Sequence, residues 1–224
     1  MSADFDMQRR GPSVRAALAG ALASITLLGA CAPLVVGTAM VGGAMMATDR
    51  RTSGTQIEDQ AIELKAASRA RAVVSDRGHV NVTSYNRTVL LTGEAASDAD
   101  RSAMEQAVRA VENVRAVVNE VAVMGNSSMS SRSNDTLLST RVKANFVDAK
   151  DVQASAVKVI TERGVVHLMG RVTEREAARA TELARAVPGV LKVVRVFDIL
   201  TEAELAALSP PRLTPAPAPA PAPK

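Results

Sequence analysis

The sequence predicts an α+β protein of two tandem modules, each an α-β-β-α-β sandwich with two helices packed on a small three-stranded sheet. Duplication is the first observation behind this reading. Val80-Asn81-Val82-Thr83 and Val89-Leu90-Leu91-Thr92-Gly93 recur as Val157-Lys158-Val159-Ile160 and Val166-His167-Leu168-Met169-Gly170, at a constant offset of 77. Asp59, Ile62 and residues 111–114 recur as Asp135, Leu138 and residues 187–190 at an offset of 76. The second observation is that apolar periodicity changes in the same order within each copy, from helical to alternating and back again. The third is punctuation, since turn and capping residues fall between those segments in both copies.

Each copy opens with a helix, over 57–71 and 135–147, with Asp59 or Asp135 near its start to cap free backbone N–H groups. A hairpin follows, its turns placed at Asn86-Arg87 and Arg163-Gly164. Ser97 before Asp100, and Thr173 three residues before Glu176, announce the second helix; the latter spacing is a capping box. Asn113 and Gly189 supply the left-handed residue that ends it, and a closing strand covers 114–123 or 190–197. The modules thus span 55–124 and 134–200, joined by a Ser-rich linker at 125–133. Modules this short have small cores, so the two are expected to pack on each other. In the first copy's opening helix the outward Ala61 and Ala67, beside Leu64 and Arg71, suit such packing. Thr201 and Glu204 start a short further helix, and residues 215–224 alternate Pro with Ala, a composition that favours an extended spacer.

The amino terminus reads as an export signal over residues 1–30. Arg9, Arg10 and Arg15 precede an uncharged run over 16–28, then Leu28-Gly29-Ala30-Cys31. Asp4 and Asp6 are foreign to such a region, and translation from Met7 instead of Met1 would give a cleaner signal. The Leu-Gly-Ala-Cys sequence resembles the lipobox of bacterial lipoproteins, which implies cleavage before Cys31, lipid on its thiol and a lipidated linker over 31–54. Ala32 after that cysteine, in place of an Asp, implies the outer membrane and a chain facing the periplasm. The alternative is an uncleaved membrane helix, since no charge falls between Ala16 and Thr48, although Pro33 and several glycines interrupt the run.

Composition closes other doors. One Cys and two His, His79 and His167, are too few for a thiolate zinc site or a His-rich metal centre, and no cofactor is called for. Phe5, Tyr85, Phe146 and Phe197 are too few for base stacking, and a net charge of +4 is no polybasic footprint, so nucleic acid is not an expected partner. No phosphate loop or nucleophile elbow occurs, and the carboxylates sit where caps explain them; the chain is not expected to be an enzyme.

The helix over 135–147 is the informative one. At 100° per residue Leu138, Val142 and Phe146 face inward, with Asn145 at their edge. Leu137, Thr140, Lys143 and Val147 occupy the opposite arc, and Arg141 lies on a flank. Two aliphatic side chains beside cations are what a shallow interfacial helix requires. The same face would equally suit a protein partner.

The repeated order, the glycine ending each hairpin, and the stretches Gly54-Thr55-Gln56-Ile57-Glu58-Asp59, Asn134-Asp135-Thr136 and Leu168-Met169-Gly170-Arg171-Val172-Thr173-Glu174-Arg175-Glu176-Ala177 resemble outer-membrane lipoproteins with two BON domains. The resemblance runs from the lipobox to about Leu200. It implies an anchored protein that binds anionic phospholipid, such as phosphatidylglycerol, through the first helix of its second BON domain, here Leu137, Thr140, Arg141, Lys143 and Val147. It further implies a role in envelope integrity and at division sites, with division-site or outer-membrane assembly proteins as partners. A tryptophan prominent in the family falls at Leu137, which lacks the indole's preference for the headgroup zone. The rival reading is a stress-related periplasmic adaptor, bound to protein or cell wall, whose only lipid contact is its anchor.

Overall fold

The structure, a computed structural model, describes residues 49–208; the signal segment, Cys31 and the Pro/Ala-rich tail lie outside the described residues. The first module comprises α1 (Ser53–Val74), β1 (His79–Tyr85), β2 (Thr88–Ala95), α2 (Asp98–Arg109) and a closing strand in two pieces, β3 (Ala116–Asn119) and β4 (Ala122–Val123). The second repeats the order as α3 (Met129–Asp148), β5 (Val157–Glu162), β6 (Val165–Thr173), α4 (Glu174–Arg185) and β7 (Lys192–Leu200), followed by the short α5 (Glu202–Leu208). In each, the hairpin strands pair antiparallel and the middle strand pairs in parallel with the closing one, giving orders β1-β2-β3 and β5-β6-β7. Parallel pairing needs a crossover, which α2 and α4 supply. The break between β3 and β4 has a local cause. Asn119 Oδ1 accepts from the Val121 N–H at 3.2 Å, and Val121 turns into the core.

The middle strands are buried on both faces. One face of β2, Val89 and Leu91, packs against Ile62, Ala66 and Ala70 of α1. The matching face of β6, Val166 and Leu168, packs against Leu138, Val142 and Phe146 of α3. Their other faces meet: Leu90 and Tyr85 form a third core with Met169, joined by Val118, Ile160 and Val196. The two sheets therefore stack back to back as layers α, β, β, α. Polar pairs rim this seam, Asn81 Nδ2 donating to Glu162 Oε2 at 2.9 Å and Asn86 Nδ2 to Asp198 Oδ2 at 2.7 Å.

The modules do pack together, but not through the alanines of the first helix. Ala61, Leu64 and Arg71 are exposed on α1 and Ala67 is half-buried. Helices cover only one face of each sheet, so the apolar opposite faces are the surfaces that must be removed from water.

The opening helices start earlier than the spacing of Asp59 and Asp135 implies. Thr52 Oγ1 accepts from the Thr55 N–H at 3.2 Å and starts α1 at Ser53, inside the stretch assigned to the linker at 31–54. Ser128 Oγ accepts from the Ser131 N–H at 3.2 Å and starts α3 at Met129, so residues 129–133 of the Ser-rich linker are helix. The expected caps for the second helices are present, with Ser97 on α2 and the Thr173–Glu176 box on α4. Asn113 and Gly189 both have positive φ, at 66° and 99°. The repeated hairpin glycines answer to close approach, since a Cβ at Gly93 would strike the His79 carbonyl oxygen and one at Gly170 that of Ala156.

Candidate functional site

Asp59 and Asp135, now placed well inside their helices, do not cap them. Each carboxylate instead reaches the hairpin turn of its own module. Asp59 accepts the N–H groups of Asn86 and Arg87 at 2.8 Å each, the Ser84 hydroxyl at 2.7 Å and the Arg51 guanidinium at 2.8 Å. Burial alone would raise its pKa, but these four donors together hold it below the ordinary carboxylate value. Asp135 accepts the N–H groups of Arg163 and Gly164 at 2.8 Å each. The turn then holds the loop that follows α4, because the Leu191 N–H donates to the Gly164 carbonyl at 2.9 Å. A Cβ on Gly164 would press on Leu191 at 3.0 Å, so the leucine lies directly over the glycine. Asp135, two residues before Leu137, thereby sets Leu191 beside the outer face of α3.

That face carries all five residues picked from the sequence. Leu137 is 56% exposed and Val147 72%, while Thr140, Arg141 and Lys143 are exposed as well. The structure divides four of them between two flanks of α3. Leu137 and Arg141 line a groove of about 370 Å³ together with Arg163, Pro188 and Leu191. Thr140 and Lys143 line another of about 450 Å³, with Arg132 and Thr136 from α3 and His79 and Asn81 from the first module. Thr140 Oγ1 donates to the Thr136 carbonyl within the helix at 3.0 Å, which leaves its oxygen as an acceptor only. Among the described residues, Arg132, Arg141 and Lys143 have no carboxylate partner.

Sequence reasoning missed two members of this surface. Leu191, 80% exposed, sits in a loop and shares no helical period with Leu137. Met129, also exposed, falls in the stretch that reads as linker, because α3 begins six residues before Asp135. Arg163 lines the groove, but its guanidinium turns to Glu94 of the first module at 3.9 Å. The repeat offset of 76 contained a signal, for it pairs Leu137 with Ala61 and Leu191 with Arg115. The structure confirms the second pairing, since the Arg115 N–H donates to the Arg87 carbonyl just as Leu191 does to Gly164.

Three buried titratable groups, Tyr85, Glu162 and His167, lie at the seam between the sheets. Burial pushes the Tyr85 hydroxyl up to about 12, with Asp49 adding to the effect. Burial also raises the Glu162 carboxyl; its bond from Asn81 opposes this and Glu94 reinforces it. His167, on the seam face of β6, is pushed below the ordinary histidine value by burial, with Glu120 partly opposing. His79 and His167 lie near different carboxylates, Nδ1 of the first 3.6 Å from Glu94 and Nε2 of the second 3.8 Å from Glu120. Among the described residues no group of three or more His, Cys, Asp or Glu side chains is arranged to hold a metal ion.

Comparison with known proteins places this architecture. Residues 59–125 and 134–201 each match the BON domain family. The chain is 39% identical over 186 residues to the outer membrane lipoprotein DolP of Haemophilus influenzae, an alignment covering 82% of this chain and 95% of that protein. The chain belongs to the dual BON-domain DolP family. It is accordingly an outer-membrane, lipid-anchored BON protein, and among its described residues no helix is long and apolar enough to cross a membrane. Over 152 residues it is 32% identical to the 21 kDa hemolysin of Actinobacillus pleuropneumoniae, covering 67% of this chain and 78% of that one. It is 28% identical over 148 residues to osmotically-inducible protein Y of Escherichia coli, covering 62% and 72%. The family assignment makes α3 the first helix of the second BON domain.

Proposed function

We propose that this lipoprotein, anchored through Cys31, binds anionic phospholipid with the outer face of α3 and the loop bearing Leu191, and that it is a binding protein without catalytic activity. One observation carries the reading. The first BON domain has Ala61 and Arg115 where the second has Leu137 and Leu191, so only the second presents two bare leucines flanked by cations. Arg141 and Lys143 would face phosphates while the leucines and Val147 enter the acyl zone. Each cation near an anionic surface contributes about 1 kcal/mol. Two of them plus shallow apolar insertion suit a dissociation constant near the millimolar to high-micromolar range, where free energies are about 4–6 kcal/mol. Such contact is weak for a free protein and effective for one whose anchor already holds it at the bilayer. The family resemblance supports a further role in envelope integrity and at division sites.

The test is co-sedimentation of a soluble chain beginning at Ala32 with neutral or anionic vesicles. Binding is expected only to the anionic ones, weakening as salt rises and screening shortens, and lost in Leu137→Glu. A chain that ignores both vesicle types would favour the adaptor reading, with this face presented to a protein.

A further inference from the structure

Residues 49–52, just ahead of the first BON domain, hold both domains at once. Arg50 crosses to the second domain, where its guanidinium meets the Glu176 carboxylate with two bonds of 2.7 Å and donates to the Arg171 carbonyl at 2.8 Å. Both partners of this ion pair are only 8% exposed. Arg50 also reaches Gln153 Oε1 at 3.1 Å, five residues beyond the end of α3, and its own carbonyl accepts from Arg171 at 3.3 Å. The next side chain points into the first domain. Arg51 donates to Asp59 at 2.8 Å, is braced by Asp49, and lies 4.0 Å over the Tyr85 ring. Planar guanidinium groups suit both tasks, bidentate pairing in one case and stacking in the other.

We propose that this segment is a two-pronged clasp: Arg50 in the second domain and Arg51 in the first lock the sheets back to back, and Arg50 makes the tether from Cys31 join the body at the start of α4 and the loop that follows α3. The second half of this proposal rests on the membrane reading of α3. Arg50 is then a positioning residue. Neither domain can slide along the seam without drawing one arginine out of a buried pair, which leaves an uncompensated charge on its partner. Tension from the anchor reaches the second domain first, through Glu176 and the loop that follows the helix that is to face the bilayer.

The experiment uses the full lipidated chain in anionic nanodiscs, with nitroxide labels at Ala61→Cys and Ala144→Cys, exposed sites on α1 and α3. The pair reports the distance between domains, and the second label alone reports depth in the bilayer. The native chain is expected to give one narrow distance distribution with the α3 label at the headgroup level. Arg50→Ala should at least double the width and draw the label out, and Arg50→Lys, which keeps charge but loses the fork, should fall between. Leu137→Glu should reduce depth with no change in width, and far-UV circular dichroism identifies any variant that fails to fold. An equally narrow distribution in Arg50→Ala overturns the clasp. A broadened one with unchanged depth overturns the positioning role. A native α3 label lying clear of the bilayer sinks the membrane reading, while the widths still decide the clasp.

Discussion

The Gly164 backbone N–H donates to the Asp135 carboxylate at 2.8 Å, joining the middle of the surface helix α3 to a hairpin turn 29 residues later. With the Arg163 N–H it gives the carboxylate two charge-assisted bonds. Asp135→Asn keeps one acceptor and presents an amide to the other donor, so one bond is lost and an N–H left unpaired. A loss of about 2 kcal/mol is expected, in the range for such bonds, read as a lower urea midpoint with unchanged slope. The turn also supports Leu191, so the same variant should weaken binding to anionic vesicles under conditions where it remains folded.

The seam gives stability a pH dependence with opposing parts. The Glu162 carboxyl has its folded pKa raised by burial above the unfolded value of about 4.3. Its contribution is full below that value and is lost as pH rises through the folded one. His167 is the reverse case, its folded pKa lying below the unfolded value of about 6.5. Its contribution is full above that value and is lost as pH falls through the folded one. Glu162→Gln retains an oxygen for Asn81 and removes the buried charge. It should raise Tm at pH 7.5 by about 2–4 °C, the size of a 1 kcal/mol change in a protein of this length. At pH 4 the native and variant curves should converge; an equal gain at both pH values would rule out titration of Glu162 as the cause.

Asp59 acts at the acid limit. Although burial opposes ionisation, its backbone, Ser84 and Arg51 donors hold the folded pKa below the ordinary value. The stabilisation is therefore present above the unfolded pKa of about 3.9 and is lost as pH falls through the folded one. Asp59→Asn should be destabilised at pH 7 by about 2–4 kcal/mol, since several donors lose a charged acceptor. The gap to the native chain should shrink on acidification below pH 4, measured by urea unfolding across the range.

What the sequence disclosed, and what it hid, divides along a physical line. Order and identity of elements were legible because duplication doubled every signal: Ser97, the Thr173–Glu176 box, Asn113 and Gly189 all stand where their local chemistry demands. The inward stripe Leu138, Val142, Phe146 on α3 was legible for the same local reason. The start of α3 was not, because serines are poor helix formers and the cap at Ser128 resembles the serines around it. Asp59 and Asp135 misled because an acidic residue early in an apolar pattern reads as a cap, whereas the backbone N–H groups they accept lie 27–29 residues onward. The domain seam was hidden in plain view. Val89-Leu90-Leu91 is apolar without alternation, the mark of a strand covered on both faces, and Leu90 meets the other sheet.

Leu191 tests whether the membrane surface extends beyond the helix. It is 80% exposed, held by its backbone to Gly164 and absent from the buried cores, so Leu191→Glu should leave Tm within about 2 °C of native. A carboxylate there opposes anionic headgroups and removes an inserted side chain. Affinity for anionic vesicles should fall about tenfold, the effect of roughly 1.4 kcal/mol. If the affinity is unchanged while Leu137→Glu abolishes it, the contact is confined to α3.

Leu137 is the position where affinity should be easiest to raise. Its side chain is more than half exposed on α3, next to Arg141 in the groove that Leu191 closes, so a larger ring has open space outward. Leucine gains from entering the acyl zone but has no polar edge for the interface, whereas an indole places its ring and N–H at the headgroup level. Leu137→Trp should therefore tighten binding to anionic vesicles about three- to tenfold at constant salt. Its fluorescence should shift to shorter wavelength on binding, and bilayer-resident quenchers should reach it at shallow depth. Neutral vesicles should give little of either, because Arg141 and Lys143 would lack phosphates of net negative charge to approach. An emission spectrum that ignores anionic vesicles in this variant would show that the face does not meet lipid at all.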